Sequence, residues 1–467
     1  MSSPTTDAVA PSGEPAAPVP PSTRRERVGW YFYDWANSAF STTVIAVFLS
    51  PYLTDIAKHA ADCAGDNQSC DGKLLHPLGI PVAPDSFYPY VLSLSVILQV
   101  LVLPVVGALT DRTHQRRRLL ALFAYIGAAA TIGFFFLTGS NYLLGGALFV
   151  VANLAFGASV VVYNSFLPSL GGPDDRDRIS SIGWGIGYVG GGLLLLINLV
   201  AYLLAGDDTD TQLLVARASL ASAGVWWAIF TSMPLAMLKD PQPHHVLRTT
   251  GSALTGGFKQ LGQTLRGLRL FPLTLVFLVI YLIYNDGVQT VIGVASQYAA
   301  EYLKLDTGVR STTILIVQFT AFLGAVITAR IARAIGARKT VLGSLVLWAI
   351  IVGAAYFLPV GKGLPFLILG AALGTVLGCT QALTRSLYSQ LIPDGKEGEY
   401  FGFYEISDKG TSWIGPLVFG LSFQLTNSYQ TAIISIVAFF VIGFFGLLFI
   451  PMRRAIIAAG NTPPHKL

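Results

Sequence analysis

Two acidic side chains lie inside long apolar runs of this sequence, and the polar residues that follow each of them repeat. An amide comes three positions after the aspartate, and a hydroxyl comes four positions after it. The two groups are Asp34, Asn37 and Ser38, and Asp286, Gln289 and Thr290. Positions i, i+3 and i+4 share one face of a helix. A carboxylate near the centre of a bilayer costs about 2.5–3.5 kcal/mol, so it usually faces a bundle interior or a water-filled path. The repetition predicts two related halves around one polar path.

Two more apolar stretches each carry a polar stripe with the spacing i, i+3, i+4, i+7. The stripes are Gln381, Thr384, Arg385 and Tyr388, and Glu405, Asp408, Lys409 and Ser412. Because buried charges need partners, we expect Arg385 to pair with Glu405 or Asp286. The stripes have two interpretations. They form a relay for protons or substrate, or they are internal ion pairs that orient helices.

The candidate residues for substrate or proton binding come from these stripes and from neighbouring polar and aromatic positions. They are Asp34, Asn37, Tyr163, Asn164, Trp184, Tyr188, Asp286, Gln289, Gln381, Arg385, Glu405, Asp408 and Lys409. Arg385 would bind a substrate carboxylate, and one of the four acidic residues would bind an ammonium group or the coupling proton. Trp30 is expected at the membrane interface, where tryptophan is enriched.

A compact motif with basic residues links the second and third apolar stretches. It reads Gly107-Ala108-Leu109-Thr110-Asp111-Arg112 and is followed by Arg116, Arg117 and Arg118. A glycine lets two helices approach closely. An aspartate can cap the N-terminus of a facing helix, and arginines bind acidic groups. The predicted gate consists of Gly107, Asp111, Arg112 and Arg116.

The composition of the 467-residue chain is that of a membrane protein, with 53% hydrophobic and 12% charged residues. An average soluble domain is about 25% charged. A helix of about 20 mostly apolar residues spans a bilayer, and such runs recur along the chain. We therefore predict an all-α integral membrane protein. Its spans lie near residues 30–54, 87–109, 119–138, 142–168, 179–205, 212–238, 271–299, 311–335, 340–360, 364–392, 401–426 and 429–452.

A long central connector divides these twelve predicted spans into two sets of six. The predicted parts are a disordered tail at 1–27, an N-terminal bundle at 28–238 with an external loop at 55–86, a linker with an amphipathic helix at 239–270, a C-terminal bundle at 271–452 and a tail at 453–467. A second repeated pattern also supports two related halves. The residues Gly157, Ser159 and Ser165 have the same spacing as Gly378, Thr380 and Ser386. Internal repeats of this kind are typical of transporters.

The net charge of +5 indicates topology rather than nucleic-acid binding, because Lys and Arg concentrate in alternate loops. We therefore expect both termini in the cytoplasm and the chain in a cell membrane, plasma or inner. Cys63 and Cys70 lie in the predicted external loop. They form a disulfide if that compartment is oxidising, or they remain free thiols.

The sequence lacks the usual signatures of catalysis. The six histidines lie in loops or tails, so no predicted span offers a haem site, a metal site or a histidine base. A phosphate-binding Gly-x-x-x-x-Gly-Lys-Ser/Thr loop and a Gly-x-Ser-x-Gly elbow are both absent. We expect a monomer that is not an enzyme and has no cofactor.

Six short motifs are spread over residues 28–452. They are Tyr33-Asp34-Trp35-Ala36-Asn37-Ser38-Ala39-Phe40, Tyr163-Asn164-Ser165-Phe166-Leu167-Pro168, Gly183-Trp184-Gly185-Ile186-Gly187-Tyr188, Tyr284-Asn285-Asp286-Gly287-Val288-Gln289-Thr290, Gln381-Ala382-Leu383-Thr384-Arg385-Ser386 and Tyr400-Phe401-Gly402-Phe403-Tyr404. Together they resemble the Atg22-like, or UMF1, branch of the major facilitator superfamily (MFS). The resemblance implies twelve helices in two six-helix bundles and alternating access. Fungal vacuolar members of that branch are linked to the export of amino acids.

These observations lead to three hypotheses about function. The first is a proton-coupled secondary transporter that exports a small polar or zwitterionic metabolite such as an amino acid. The second is a lipid or amphipathic drug transporter of the same fold, and the third is a receptor or scaffold that transports nothing. Charges at mid-membrane favour the first, because a scaffold has no need of them. Its partners would be a small-molecule substrate, protons and the lipid bilayer.

Overall fold

A computed structural model describes residues 22–63, 70, 72–206, 208–240, 271–409 and 414–467 of the chain. Within these ranges, 11 helices are long and apolar enough to cross a membrane, and Ile414–Thr426 is a shorter apolar helix. The predicted amphipathic helix of the central linker and most of the predicted N-terminal tail lie outside the described residues.

The helices of the first half are α1 (Arg24–Ala60), α2 (Phe87–Arg112), α3 (Arg116–Ile132), α4 (Tyr142–Asn164), α5 (Pro173–Leu204) and α6 (Thr209–Met237). Those of the second half are α7 (Pro272–Tyr302), α8 (Thr307–Ile335), α9 (Ala337–Ala355), α10 (Gly363–Ser389), α11 (Glu397–Lys409), α12 (Ile414–Thr426) and α13 (Tyr429–Phe449). A short helix, α14 (Met452–Ala458), follows them. We call the end of the bundle at which α2 ends and α3 begins the basic end, after the arginines there.

Local sequence determines where two of these helices begin. Thr23 and Glu26 form a capping box at the start of α1, because each side chain accepts a hydrogen bond from the other residue's backbone N–H. Helix α5 begins at Pro173, earlier than the predicted span near 179–205. Proline is favoured in the first helical turn, and the acidic side chains of Asp174 and Asp175 suit the positive end of the helix dipole.

The contacts between the two halves follow a twofold pseudo-symmetry. Helix α2 packs against α11, and α8 packs against α5. In the same way α4 packs against α11, and α10 packs against α5. Helix α8 is the counterpart of α2, α10 that of α4, and α11 that of α5. The two contacts in each pair are therefore related by the pseudo-symmetry. The predicted fold of two pseudo-symmetric six-helix bundles is confirmed.

Small residues allow the closest approaches. A Cβ atom on Gly107 would overlap the backbone carbonyl of Gly398, so α2 and α11 meet backbone to backbone. A Cβ atom on Gly378 in α10 would overlap the carbonyl of Ala321 in α8. Any larger residue at these positions must push the two helices apart, because neither obstacle is a flexible side chain.

Chain segments outside the spans are also held by specific contacts. Cys63 and Cys70 form a disulfide with their Cα atoms 5.3 Å apart, which is one of the two states that the sequence left open. After α14, Asn461 donates hydrogen bonds from its side chain to the carbonyls of Gln390 and Ile392. The backbone N–H of His465 donates to Asp174 at the start of α5. The C-terminal segment therefore contacts both halves at the basic end.

Adding one methyl group at Gly378 tests the packing of α8 against α10. We expect Gly378→Ala to lower the free energy of unfolding by about 1–3 kcal/mol, the usual cost of overpacking. The matched control is Gly353→Ala in α9, where a Cβ atom would meet nothing within 4 Å. This control should be neutral or stabilising by up to about 1 kcal/mol, because alanine is the better helix former. Thermal unfolding of both variants in detergent measures the difference, and equal stability would contradict the packing argument.

Candidate functional site

The centre of the candidate site is a buried ion pair that joins the two halves. Asp34 in α1 and Arg385 in α10 form a salt bridge, with 3.3 Å between Asp34 Oδ2 and Arg385 Nη2. The same oxygen accepts a hydrogen bond of 2.6 Å from the hydroxyl of Tyr163 in α4. Only 7% of Asp34 and 2% of Arg385 are exposed. The pair is therefore removed from solvent at the junction of the two bundles.

The guanidinium of Arg385 is bound by polar atoms on several sides. Its Nε donates to Ser180 Oγ at 2.9 Å, and its Nη2 donates to the backbone carbonyl of the same serine at 3.0 Å. Its Nη1 lies 3.4 Å from Asn164 Oδ1. Five N–H donors in a rigid fork suit this arrangement. Asn164 belongs to α4 and Ser180 to α5, so together with Asp34 of α1 the arginine joins α10 to three helices of the first half.

Aromatic rings surround the same guanidinium. Its central carbon lies 4.7 Å from the ring centre of Trp30, 5.2 Å from that of Trp184 and 5.7 Å from that of Tyr163. Cations are attracted to the faces of such rings. Trp30 is fully buried, stacks on Tyr163 and donates its indole N–H to the Tyr163 carbonyl at 3.1 Å. The expectation that Trp30 lies at the membrane interface was wrong, because a buried cation and a carbonyl hold it inside.

A second polar cluster extends the site into α7 and α11. Glu405 accepts a hydrogen bond of 2.9 Å from Asn164, which also contacts Arg385. Asp408 accepts from the hydroxyl of Tyr281 at 2.7 Å and from the side chain of Asn285 at 3.1 Å.

Gln381 Nε2 lies 3.5 Å from Asn285 Oδ1, at the limit of a hydrogen bond. Polar side chains from α1, α4, α5, α7, α10 and α11 thus face one region between the halves.

Asp286 has a different hydrogen-bond partner from the one that the sequence suggested. One carboxylate oxygen, Oδ2, accepts a hydrogen bond of 2.7 Å from the backbone N–H of Gly415 in the first turn of α12. The other, Oδ1, is buried and has no hydrogen-bond partner among the described residues. Of the two partners expected for Arg385, Glu405 or Asp286, the second was therefore wrong, and Asp34 is the acidic partner that the structure shows. Asp286 instead caps α12, whose first N–H groups have no acceptor within their own helix.

The remaining candidates lie along or beside this region. Asn37 is buried one turn beyond Asp34, and Tyr188 is buried beside Trp184, with ring centres 5.7 Å apart. Gln289 is half-buried. The side chain of Lys409 lies outside the described part of the structure. Ser38 and Ser41, on the same face of α1 as Asp34, are half-buried, so a polar face leads from the ion pair away from the basic end.

Two of the four predicted gate residues, Asp111 and Arg116, join Glu397 in a charged cluster where α2 and α3 meet α11, and we call this cluster the latch. Asp111 accepts hydrogen bonds from the backbone N–H groups of Gly398 at 2.7 Å and Glu399 at 2.9 Å, so it caps the N-terminus of α11. Arg116 lies 3.4 Å from Asp111 and 3.1 Å from Glu397. A carboxylate at a helix N-terminus is favoured by the dipole and by the unsatisfied N–H groups. Arg112 is half-buried at the end of α2.

Helices α5 and α10 are also joined near the basic end. Ser386 donates a hydrogen bond of 2.6 Å to Asp177, and Ser180 donates one of 2.7 Å to the carbonyl of Ala382. Arg176 donates to the carbonyl of Ser389 at 3.0 Å. Together with the latch, these bonds close the junction between the halves at the basic end.

Three partners in these networks were not identified from the sequence. Ser180 gave no signal, because Ser180 and Ser181 at the start of a glycine-rich span have no distinctive spacing. Asp177 was assigned to a loop before the fifth span, although it lies within α5. Glu397 follows a glycine turn and was not among the predicted gate residues. Its proximity to Arg116 depends on the packing of α2 against α11, which only the three-dimensional structure provides.

Comparisons with known proteins agree with this architecture. The family model described as "Vacuole effluxer Atg22 like" matches residues 22–460. An uncharacterized MFS-type transporter, YxiO of Bacillus subtilis, is 28% identical over 92% of this chain and 95% of its own length. Autophagy-related protein 22-1 of Penicillium rubens is 28% identical over 88% of this chain and 86% of its own.

Solved structures share the fold at low sequence identity. The MFS proton:xylose symporter XylE superposes with a TM-score of 0.65 at 15% identity, covering 91% of this chain and 94% of XylE. The MFS transporter FucP in the outward conformation gives a TM-score of 0.58 at 14% identity, covering 91% and 98%. At such identities the likeness concerns the fold alone.

The energetic importance of the buried pair can be measured by a double-mutant cycle. Arg385→Gln leaves the Asp34 carboxylate buried without its cation, which typically costs about 3–5 kcal/mol. Asp34→Asn combined with Arg385→Gln removes both charges, so the double variant should be more stable than Arg385→Gln alone. Thermal unfolding in detergent supplies the stabilities. Additive effects of the two substitutions would show that the pair contributes no coupling energy.

Proposed function

Because the chain belongs to the vacuole effluxer Atg22-like family, we propose that it is a secondary active transporter of a small polar or zwitterionic metabolite. The MFS fold and the transporter relatives support a multi-pass membrane transporter. We also propose a substrate class, a coupling ion and a direction of transport. These three proposals rest on the chemistry of the residues in the candidate site and on membership of the family.

The observation that carries the proposal is the buried pair of Asp34 and Arg385 between the two halves. A carboxylate and a guanidinium in one enclosed region present both signs of charge to a ligand. A zwitterion such as an amino acid would place its carboxylate on Arg385 and its ammonium group on Asp34. Binding would then replace the internal pair rather than leave either charge alone, which avoids the cost of a single buried charge.

The aromatic rings contribute to the same site. Trp30, Tyr163 and Trp184 keep the guanidinium in place and would supply apolar contact to a substrate side chain. Ser180 and Asn164 hold the arginine from the other side. These contacts favour a compact polar substrate over an amphipathic lipid or drug, since a large apolar ligand would leave the charges unsatisfied.

A proton is the proposed coupling ion, and it would bind a carboxylate of this region. Asp34 is the best candidate, because protonation would release it from Arg385 and loosen α1 from α10. Glu405 is the second candidate, since Asn164 connects it to the arginine. Asp286 is better explained as the cap of α12.

Alternating access would require the bonds at the basic end to break. Asp111, Arg116 and Glu397 would act as a latch that closes this end, and the hydrogen bond between Asp177 and Ser386 would close it further. The concentration of basic residues supports a cytoplasmic position for this end and for both termini, in a cell membrane. Export of the substrate from the cytoplasm is the proposed direction.

Flux of radiolabelled amino acids into proteoliposomes under an imposed proton gradient tests the proposal. Wild type should show gradient-driven flux, and Arg385→Lys should reduce it about tenfold or more, because lysine lacks the planar fork that this site uses. Arg338→Lys in α9 is the matched control, since Arg338 contacts only backbone carbonyls of α13 in the described structure. It should transport normally.

Two results would contradict this account. Normal flux through folded Arg385→Lys would remove the arginine from the substrate site. If folded wild type carried no amino acid at all, the zwitterion assignment would fail, and a lipid or drug substrate would become the better hypothesis.

A further inference from the structure

A shallow, open groove on the outer surface of α3 continues into an open cavity at the basic end. Four residues on one side of α3 are exposed along the groove. They are Leu122, Tyr125, Ile126 and Ala129. The groove has a volume of about 530 Å³. Beside it, a cavity of about 460 Å³ lies between the start of α3 and the end of α6. Arg118 lines both spaces, so they form one continuous surface.

The dimensions of this surface fit one leaflet of a bilayer. From Arg118 to Ala129 the helix rises about 16 Å at 1.5 Å per residue. The hydrocarbon core of a bilayer is about 30 Å thick, so the groove extends from the basic end to about the middle of the membrane. Its lining is apolar from Leu122 onward, and the charge lies only at its end.

The charge at that end is positive. Arg117 and Arg118 both line the cavity, and Asp240, the one carboxylate there among the described residues, accepts a hydrogen bond of 2.7 Å from the backbone N–H of Arg117. Arg118 is exposed and donates to Gln115 Oε1 at 2.8 Å. A guanidinium has five N–H donors, and within the described ranges this is the one hydrogen bond that Arg118 donates, so Arg118 can still bind an anion.

We propose that this surface binds an anionic phospholipid from the leaflet at the basic end. One acyl chain lies along Leu122, Tyr125 and Ile126, and the phosphate lies at Arg118 above the cavity. Basic pockets between helices are known to suit anionic headgroups. A zwitterionic phospholipid would fill the apolar groove equally well, but its ammonium group would meet the excess positive charge.

The central linker of this chain is a poorer occupant. It follows directly after Asp240, but its charged residues are Arg248, Lys259, Arg266 and Arg269, which are all basic. Charge repulsion would therefore oppose its insertion beside Arg117 and Arg118. An anionic lipid satisfies both the apolar groove and the basic cavity.

Native mass spectrometry of the purified full chain tests this site with phosphatidylglycerol and phosphatidylcholine as probes. Wild type should bind the first phosphatidylglycerol more tightly than phosphatidylcholine. Arg118→Gln should weaken that first binding step about fivefold, the effect of one basic residue at a membrane surface. Leu122→Trp fills the groove without a change in charge and should weaken it too. Arg453→Gln, an exposed arginine in α14, is the matched control and should bind as wild type does.

Thermal unfolding confirms that each variant is folded before its lipid binding is compared. Unchanged affinity in either Arg118→Gln or Leu122→Trp would overturn the proposal, because the site needs both its charge and its groove. An equal loss in Arg453→Gln would also overturn it, since general surface charge would then explain the binding.

Discussion

The structure depends on one buried pair of opposite charges, Asp34 and Arg385, held between the two halves of the bundle. Neither charge is stable alone in this environment, because removing one partner of a buried pair leaves the other uncompensated. The surrounding residues satisfy the arginine through Ser180 and Asn164 and cover it with aromatic rings. Each charge therefore has a partner as long as the halves are together. When they separate, both charges need new partners, and a zwitterionic substrate would supply them.

The remaining contacts between the two halves lie around this buried pair. The packing of α2 against α11 has a pseudo-symmetric counterpart in the packing of α8 against α5. Close approaches at small residues such as Gly107 allow this contact. Asp111 contributes a charge at the N-terminus of α11, where the backbone offers free N–H groups. Polar groups at both the latch and the α5–α10 junction therefore contribute to the closure at the basic end.

The fold could be predicted from the sequence because apolar length and repeated spacing depend on the chain alone. The capping role of Asp111 was also predictable, since the motif combines a glycine for close approach with an acceptor for a facing helix. The partner of Arg385 was not predictable. Periodicity places Asp34 and Arg385 on polar faces of their own helices, but it cannot say which faces meet. Trp30 was misassigned for the same reason, because a tryptophan at the start of a span has the same pattern whether it faces lipid or a buried cation.

Distances between the two halves at the basic end test most directly whether the buried pair holds them together. Spin labels at His114 and Lys339, both exposed and in different halves, report this separation by pulsed electron paramagnetic resonance. If the buried pair holds the halves together, Arg385→Gln should shift the distance distribution to longer distances than in wild type. The control Arg453→Gln should keep the wild-type distribution. Identical distributions in folded wild type and Arg385→Gln would contradict the claim that the pair of Asp34 and Arg385 closes this end.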